Sequence, residues 1–114
     1  MNKIEGQTAT VNCFGKDYKV RLILEHYTDN DRPAIHIDHW DEELSIQLPF
    51  GCLTVNIPEV LLEPNQCFIK TWSENEEWAP ALMQKLDCFN VVSRVDCGYT
   101  QALKVQLKED WTWE

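Results

Sequence analysis

The stretch Leu44 to Pro58, LSIQLPFGCLTVNIP, constrains the chain most. Leu44, Ile46 and Leu48, then Leu53, Val55 and Ile57, put an apolar side chain at every second position. Period two marks a strand with one buried face. Between the runs stand Pro49, which cannot donate to a ladder, and Gly51, which tolerates unusual backbone angles. The reading is therefore a central hairpin whose second strand folds back on the first. Something else in the chain has to cover its apolar face.

Upstream, Thr8 to Phe14 and Tyr18 to Thr28 flank Gly15-Lys16-Asp17 and read as a first hairpin, with Tyr18, Val20, Leu22 and Leu24 on one face. Asp29-Asn30-Asp31-Arg32-Pro33 is turn chemistry. Ala34 to Trp40 is a third strand, and Asp41-Glu42-Glu43 turns into the central hairpin, so that the strands follow one another up and down. Glu59 to Gln66 reads as a loop and Cys67 to Thr71 as a short edge strand. Ser73 and Glu76 have capping-box spacing ahead of Trp78, Leu82 and Leu86 at four-residue intervals, which predicts the principal helix near Glu76 to Asp87. Pro80 then falls in its first turn, where proline is tolerated. Val91 to Asp96 and Tyr99 to Lys108 predict a last strand pair around Cys97-Gly98, with Leu103, Val105 and Leu107 facing in.

The expected fold class is α+β: a mainly antiparallel sheet of about five to seven strands with one principal helix packed on one face. A length of 114 residues with 44% hydrophobic content suits a single domain over 1–114. The five cysteines, Cys13, Cys52, Cys67, Cys88 and Cys97, are odd in number and contain no C-x-x-C pair. That speaks for free thiols in a reducing cytoplasm and against a disulfide framework or a zinc ribbon. The opening MNKIEGQTATV lacks the apolar run of a secretory signal, and no apolar stretch reaches the roughly 20 residues that span a bilayer.

Charge narrows the function. Nineteen acidic residues against ten basic give a net charge of -9, so phosphate backbones and anionic membranes should be repelled, and no basic cluster offsets this. No catalytic motif is present, and the glycines at 6, 15, 51 and 98 are too dispersed to cradle a phosphate. His36-Ile37-Asp38-His39 puts His36 and Asp38 on one strand face, with His26 on a neighbouring strand, and two imidazoles with a carboxylate are a ligand set for zinc or iron. A polar, water-facing strand produces the same pattern, so no metal and no cofactor are expected. Cys13, Cys88 or Cys97 beside a histidine would make a nucleophile, yet no local signature supplies a base, and buried inert thiols are the commoner state.

Acidic runs beside tryptophans suggest a partner surface instead. Trp40 with Asp38, Asp41, Glu42 and Glu43 makes one cluster, and Trp72 with Glu74, Glu76 and Glu77 a second. Trp111 and Trp113 alternate at the end of the chain, either as a lid on the core or as exposed anchors.

Gly15-x-x-Tyr18 before an alternating strand, Leu53-Thr54-Val55-Asn56-Ile57-Pro58, and Asn65-x-x-Phe68-Ile69-Lys70-Thr71 ahead of Glu74-Asn75 together resemble a family of small proteins of conjugative elements and phages, the domain of unknown function 4313. The resemblance runs from about Gly15 to Gly98; the family's tyrosine-rich end is replaced here by Lys108 to Glu114. It implies a mobile-element setting and no assigned activity. The leading expectation is a small non-enzymatic protein that binds and inhibits a host protein complex with a basic surface, as anti-CRISPR and other anti-defence inhibitors do by mimicking nucleic acid. The alternative is an accessory module without such mimicry, pairing as a homodimer through a sheet edge. The second alternative is a small metal-dependent protein using His26, His36 and Asp38.

Overall fold

In the computed structural model, which describes residues 1–114, the chain forms ten strands, a 3-10 turn at Ser73–Asn75 and one helix. The strands are β1 (Asn2–Lys3), β2 (Thr8–Cys13), β3 (Lys16–His26), β4 (Pro33–Asp41), β5 (Ile46–Cys52), β6 (Thr54–Val55), β7 (Gln66–Ile69), β8 (Phe89–Cys97), β9 (Thr100–Leu107) and β10 (Trp111–Thr112); the helix α1 spans Ala79–Leu86. One four-stranded sheet is the meander β2-β3-β4-β5, a second has the order β6-β7-β9-β8, and β1 pairs with β10 in parallel near the chain ends. The two larger sheets are antiparallel throughout. This is the α+β class read from the pattern, though the strands are more numerous than expected. No helix is long and apolar enough to cross a membrane.

The central hairpin does not form. Strand β5 runs straight through Pro49-Phe50-Gly51: Gly51 lies opposite Ile37 and Pro49 opposite Asp38, with Phe50 as the extra residue of a bulge. β5 is the edge of the meander, where proline is tolerated, and the bulge lets Phe50 pack against the core. The chain leaves the sheet at Leu53, whose N–H donates to Ile35 O at 2.9 Å while its carbonyl accepts from Lys70 N at 2.8 Å. Leu53 thus ties both sheets together, and β6 pairs with β7 rather than β5.

Coverage sets what is buried. Val11, Val20, Leu22, Ile35 and Ile37 from the meander meet Cys67, Ile69, Val105 and Leu107 from the second sheet and Trp78, Ala79, Leu82 and Leu86 from the helix segment in one cluster of 17 residues. The four-residue stripe therefore faces in as predicted. Eight helical residues cover only about 12 Å, whereas the eleven of β3 extend about 36 Å. The far end of the meander is left open, so Leu44 and Ile46, read as core, are 61% and 46% exposed. Strand β7, read as an edge, is interior between β6 and β9 and buried at all four positions. Its Phe68 packs on the other face with Ile57 and Ala102.

The capping box is also absent. Ser73 takes a left-handed φ of 58° and the helix begins after Trp78, with Pro80 in its first turn and no side-chain cap. Asn75 explains this: fully buried, it donates from Nδ2 to Cys52 O at 2.7 Å and to Lys70 O at 2.9 Å. Those bonds hold Ser73–Asn75 as a tight turn against the sheets, and tertiary hydrogen bonding outweighs a local cap of about 1 kcal/mol.

Candidate functional site

The open end of the meander is built from two turns. Cys13 pairs with Lys16, so the first turn is Phe14-Gly15, one residue earlier than the sequence reading, with φ of 51° and 80°. Two positive φ values make the hairpin turn whose twist matches its strands, a turn that favours Asn-Gly. Phenylalanine there is strained, and its ring is 58% exposed. In the second turn Asp41 Oδ1 accepts the Leu44 N–H at 2.8 Å and Ser45 has a φ of 54°. The turns meet over a depression of about 510 Å³ whose charged walls are Asp17, Asp41, Glu42 and Glu43 with Lys16 and Lys19. Four carboxylates outnumber two ammonium groups. Tyr18, His39 and Phe50 pack together with centroids 5.0–5.7 Å apart, edge-on in the two His39 pairs and tilted between Tyr18 and Phe50, and Phe50 continues to Trp78 at 5.4 Å. The end is thus packed below its tips.

The first predicted cluster is brought together here. Asp38 and Trp40 share the outer face of β4, Asp38 lying 3.7 Å from Arg21 Nη2, while Asp41, Glu42 and Glu43 line the turn. The second cluster divides. Glu74 bonds Lys70 Nζ at 2.7 Å, and that ammonium, followed by the Ser73 hydroxyl, holds its carboxyl down at about 2. Glu76 and Glu77 are exposed; Glu77 stands near Cys13, whose thiol is pushed up first by burial and then by that carboxylate. Trp72 packs half-buried against the smaller cluster, with Lys70 Nζ 5.9 Å from its ring centre. Trp111 and Trp113 pack against the main core, and Trp113 Nε1 donates to Pro64 O at 3.0 Å, the arrangement of a lid.

The histidine constellation separates. His36 lies opposite Ile23 and His26 opposite Pro33, and positions 23 and 26 of one strand face opposite sides. His36 Nε2 instead lies 3.3 Å from Glu25, and no three of the chain's His, Cys, Asp and Glu side chains gather as a metal-binding group. Cys13, Cys67 and Cys88 are buried; Cys52 and Cys97 are half-buried. Burial pushes the Cys88 thiol up to about 12 and raises Cys67 further, so both stay protonated and poor as nucleophiles.

Phe14, Leu44 and Ile46 were missed as surface residues. A phenylalanine directly before the glycine of a two-residue turn was the available signal for the first; the others needed the helix length. No protein-family model, no curated protein and no solved structure matches the chain.

Proposed function

We propose that this is a non-enzymatic binding protein that docks the open end of its meander on a basic surface of a host protein complex and blocks it. One observation carries the reading: Phe14, Leu44 and Ile46 stand exposed beside the carboxylates of Asp17, Asp41, Glu42 and Glu43. Exposed apolar tips on turns that flank a depression with more carboxylates than ammonium groups suit a partner with a cationic rim and an apolar recess, the rim steering encounter and the recess holding the complex. The cost of Phe14 in a left-handed turn points the same way, because strain without a packing return is characteristic of sites kept for binding. A groove that takes nucleic acid has that rim, which supports the inhibitor reading and the anti-defence setting implied by the resemblance.

The test uses the tagged protein to isolate its complex from host cells, then measures association of the purified components. Association should slow steeply from about 50 mM to about 500 mM salt, since exposed charges are screened beyond roughly 8 Å at physiological ionic strength. Replacing Asp41, Glu42 and Glu43 together by Lys should slow it about 10-fold or more. Leu44→Ser should instead speed dissociation. Salt-independent binding that tolerates both changes would sink the reading.

A second reading, an accessory module that pairs as a homodimer, is favoured by β8. Its nine residues form an open edge with Val91 57% and Val92 50% exposed, whereas the edge β5 carries a proline and a bulge. Light scattering after gel filtration decides between monomer and dimer.

A further inference from the structure

The outer face of the meander has no covering layer, and the register puts Thr8 opposite Arg21, Thr10 opposite Lys19, and Trp40 opposite Gln47. Directly opposed residues share a face, and these six surround a depression of about 340 Å³. Its donors are only partly used within the chain. Lys19 has no carboxylate within ion-pair distance, Arg21 reaches only Asp38, at 3.7 Å, and Arg21 Nε is buried without a partner. The side chains of Thr8, Thr10 and Gln47 make no hydrogen bond inside the chain, in contrast to Arg32, whose guanidinium is satisfied by Ile57 O and Val60 O at 2.9 and 2.7 Å. Trp40 adds an indole that is 40% exposed. Two cations and three neutral polar side chains beside an aromatic plane fit one anionic group attached to a ring.

We propose that this depression binds a small ring-bearing anion of the nucleoside-monophosphate type, its ring against Trp40 and its anionic group on Lys19 and Arg21. The surroundings limit its size: Asp17, Asp41, Glu42 and Glu43 line the adjoining depression, which shares Thr10, Lys19 and Trp40, and Asp38 stands opposite Arg21 itself with Glu25 further along β3. Further phosphates of a polyanion would meet these carboxylates, so a single anionic group is accepted where a nucleic-acid strand is repelled. The site overlaps the docking depression at Thr10, Lys19 and Trp40 but does not depend on the docking reading, whose carboxylates and apolar tips lie outside it.

Calorimetric titration of the purified protein alone with adenosine 5′-monophosphate, adenosine, inorganic phosphate and a short oligothymidylate tests it. Adenosine monophosphate should bind, with adenosine and phosphate each about tenfold weaker or more, and the oligonucleotide no tighter per site. Lys19→Ala, Arg21→Gln and Trp40→Leu should each weaken binding about tenfold, the loss expected for one charge-assisted bond or one stacked ring, while Lys104→Ala leaves it unchanged; circular dichroism confirms folding of each variant. No binding of adenosine monophosphate at millimolar concentration would overturn the proposal. So would equal affinity for adenosine, tighter binding of the oligonucleotide, or insensitivity to all three substitutions.

Discussion

The indole of Trp78 rests on the backbone of Gly51 so closely that a Cβ built on the glycine would stand 2.8 Å from Trp78 Cζ2. The bulge at Phe50 and the helix that begins after Trp78 are thereby locked to each other. Gly51 does not adopt a positive φ, so its role is spatial. Gly51→Ala should cost about 1–3 kcal/mol through overpacking and Trp78→Ala about 3–5 kcal/mol. In the Trp78→Ala background the Gly51→Ala change should cost almost nothing, since the clash is gone. Urea midpoints of the four proteins of this cycle check the coupling; additive losses would refute it.

Phe14 separates stability from binding. Asparagine relieves the left-handed strain at this turn position and forfeits an exposed ring, so Phe14→Asn should leave the fold as stable or raise it by about 0.5–1 kcal/mol. Affinity for the partner should fall in the same variant. Thermal melts and dissociation rates of the variant give the two readouts, and a loss of stability would show that the ring packs after all.

Asn75 is the hydrogen-bonding pin between the sheets and the helix segment. Asn75→Ala removes both donors from the carbonyls of Cys52 and Lys70 and should cost about 1–3 kcal/mol. Asn75→Asp is expected to be worse at neutral pH, because an ionised carboxylate faces those two carbonyl oxygens. Protonation returns a donor, so the aspartate variant should gain stability as pH falls, which a urea series from neutral to acidic pH will show.

The buried thiols predict alkaline sensitivity. Burial raises Cys88 from an ordinary 9.0 to about 12 and raises Cys67 as well, and burial also takes Tyr27 from 10.0 to about 12. Between pH 9 and pH 12 the unfolded chain releases these protons while the folded chain keeps them, so the folded state binds more protons and stability declines with rising pH. Below pH 9 their contribution is fully present. Urea midpoints at pH 7, 9, 10 and 11 should fall over the upper range, and Cys67→Ala and Cys88→Ala should each flatten that slope whatever they do at pH 7. An unchanged slope in both would remove the thiols as its cause.

Local chemistry was enough for what depends on a few neighbouring residues. Alternation from Tyr18 to Leu24 and from Leu103 to Leu107 gave strands with the right inward faces, and the spacing of Trp78, Leu82 and Leu86 gave a covered stripe, because side-chain periodicity follows from backbone geometry alone. The acidic run at Asp41 to Glu43 was legible as a turn and as part of a charged end. The remainder rested on partners distant in the chain. Pro49-Phe50-Gly51 suits a turn or an edge bulge equally well, and Trp78 with β4 selects the bulge. Cys67 to Ile69 is interior because β9, more than thirty residues later, pairs with it. Leu44 and Ile46 alternate as core residues do, yet lie beyond the reach of an eight-residue helix. His26 and His36 are parted, and Lys19, Arg21 and Trp40 united, by the β3–β4 and β4–β5 registers, which the pattern of a single strand does not contain. Burial and convergence are properties of what lies opposite a residue, and only the assembled sheets supply that.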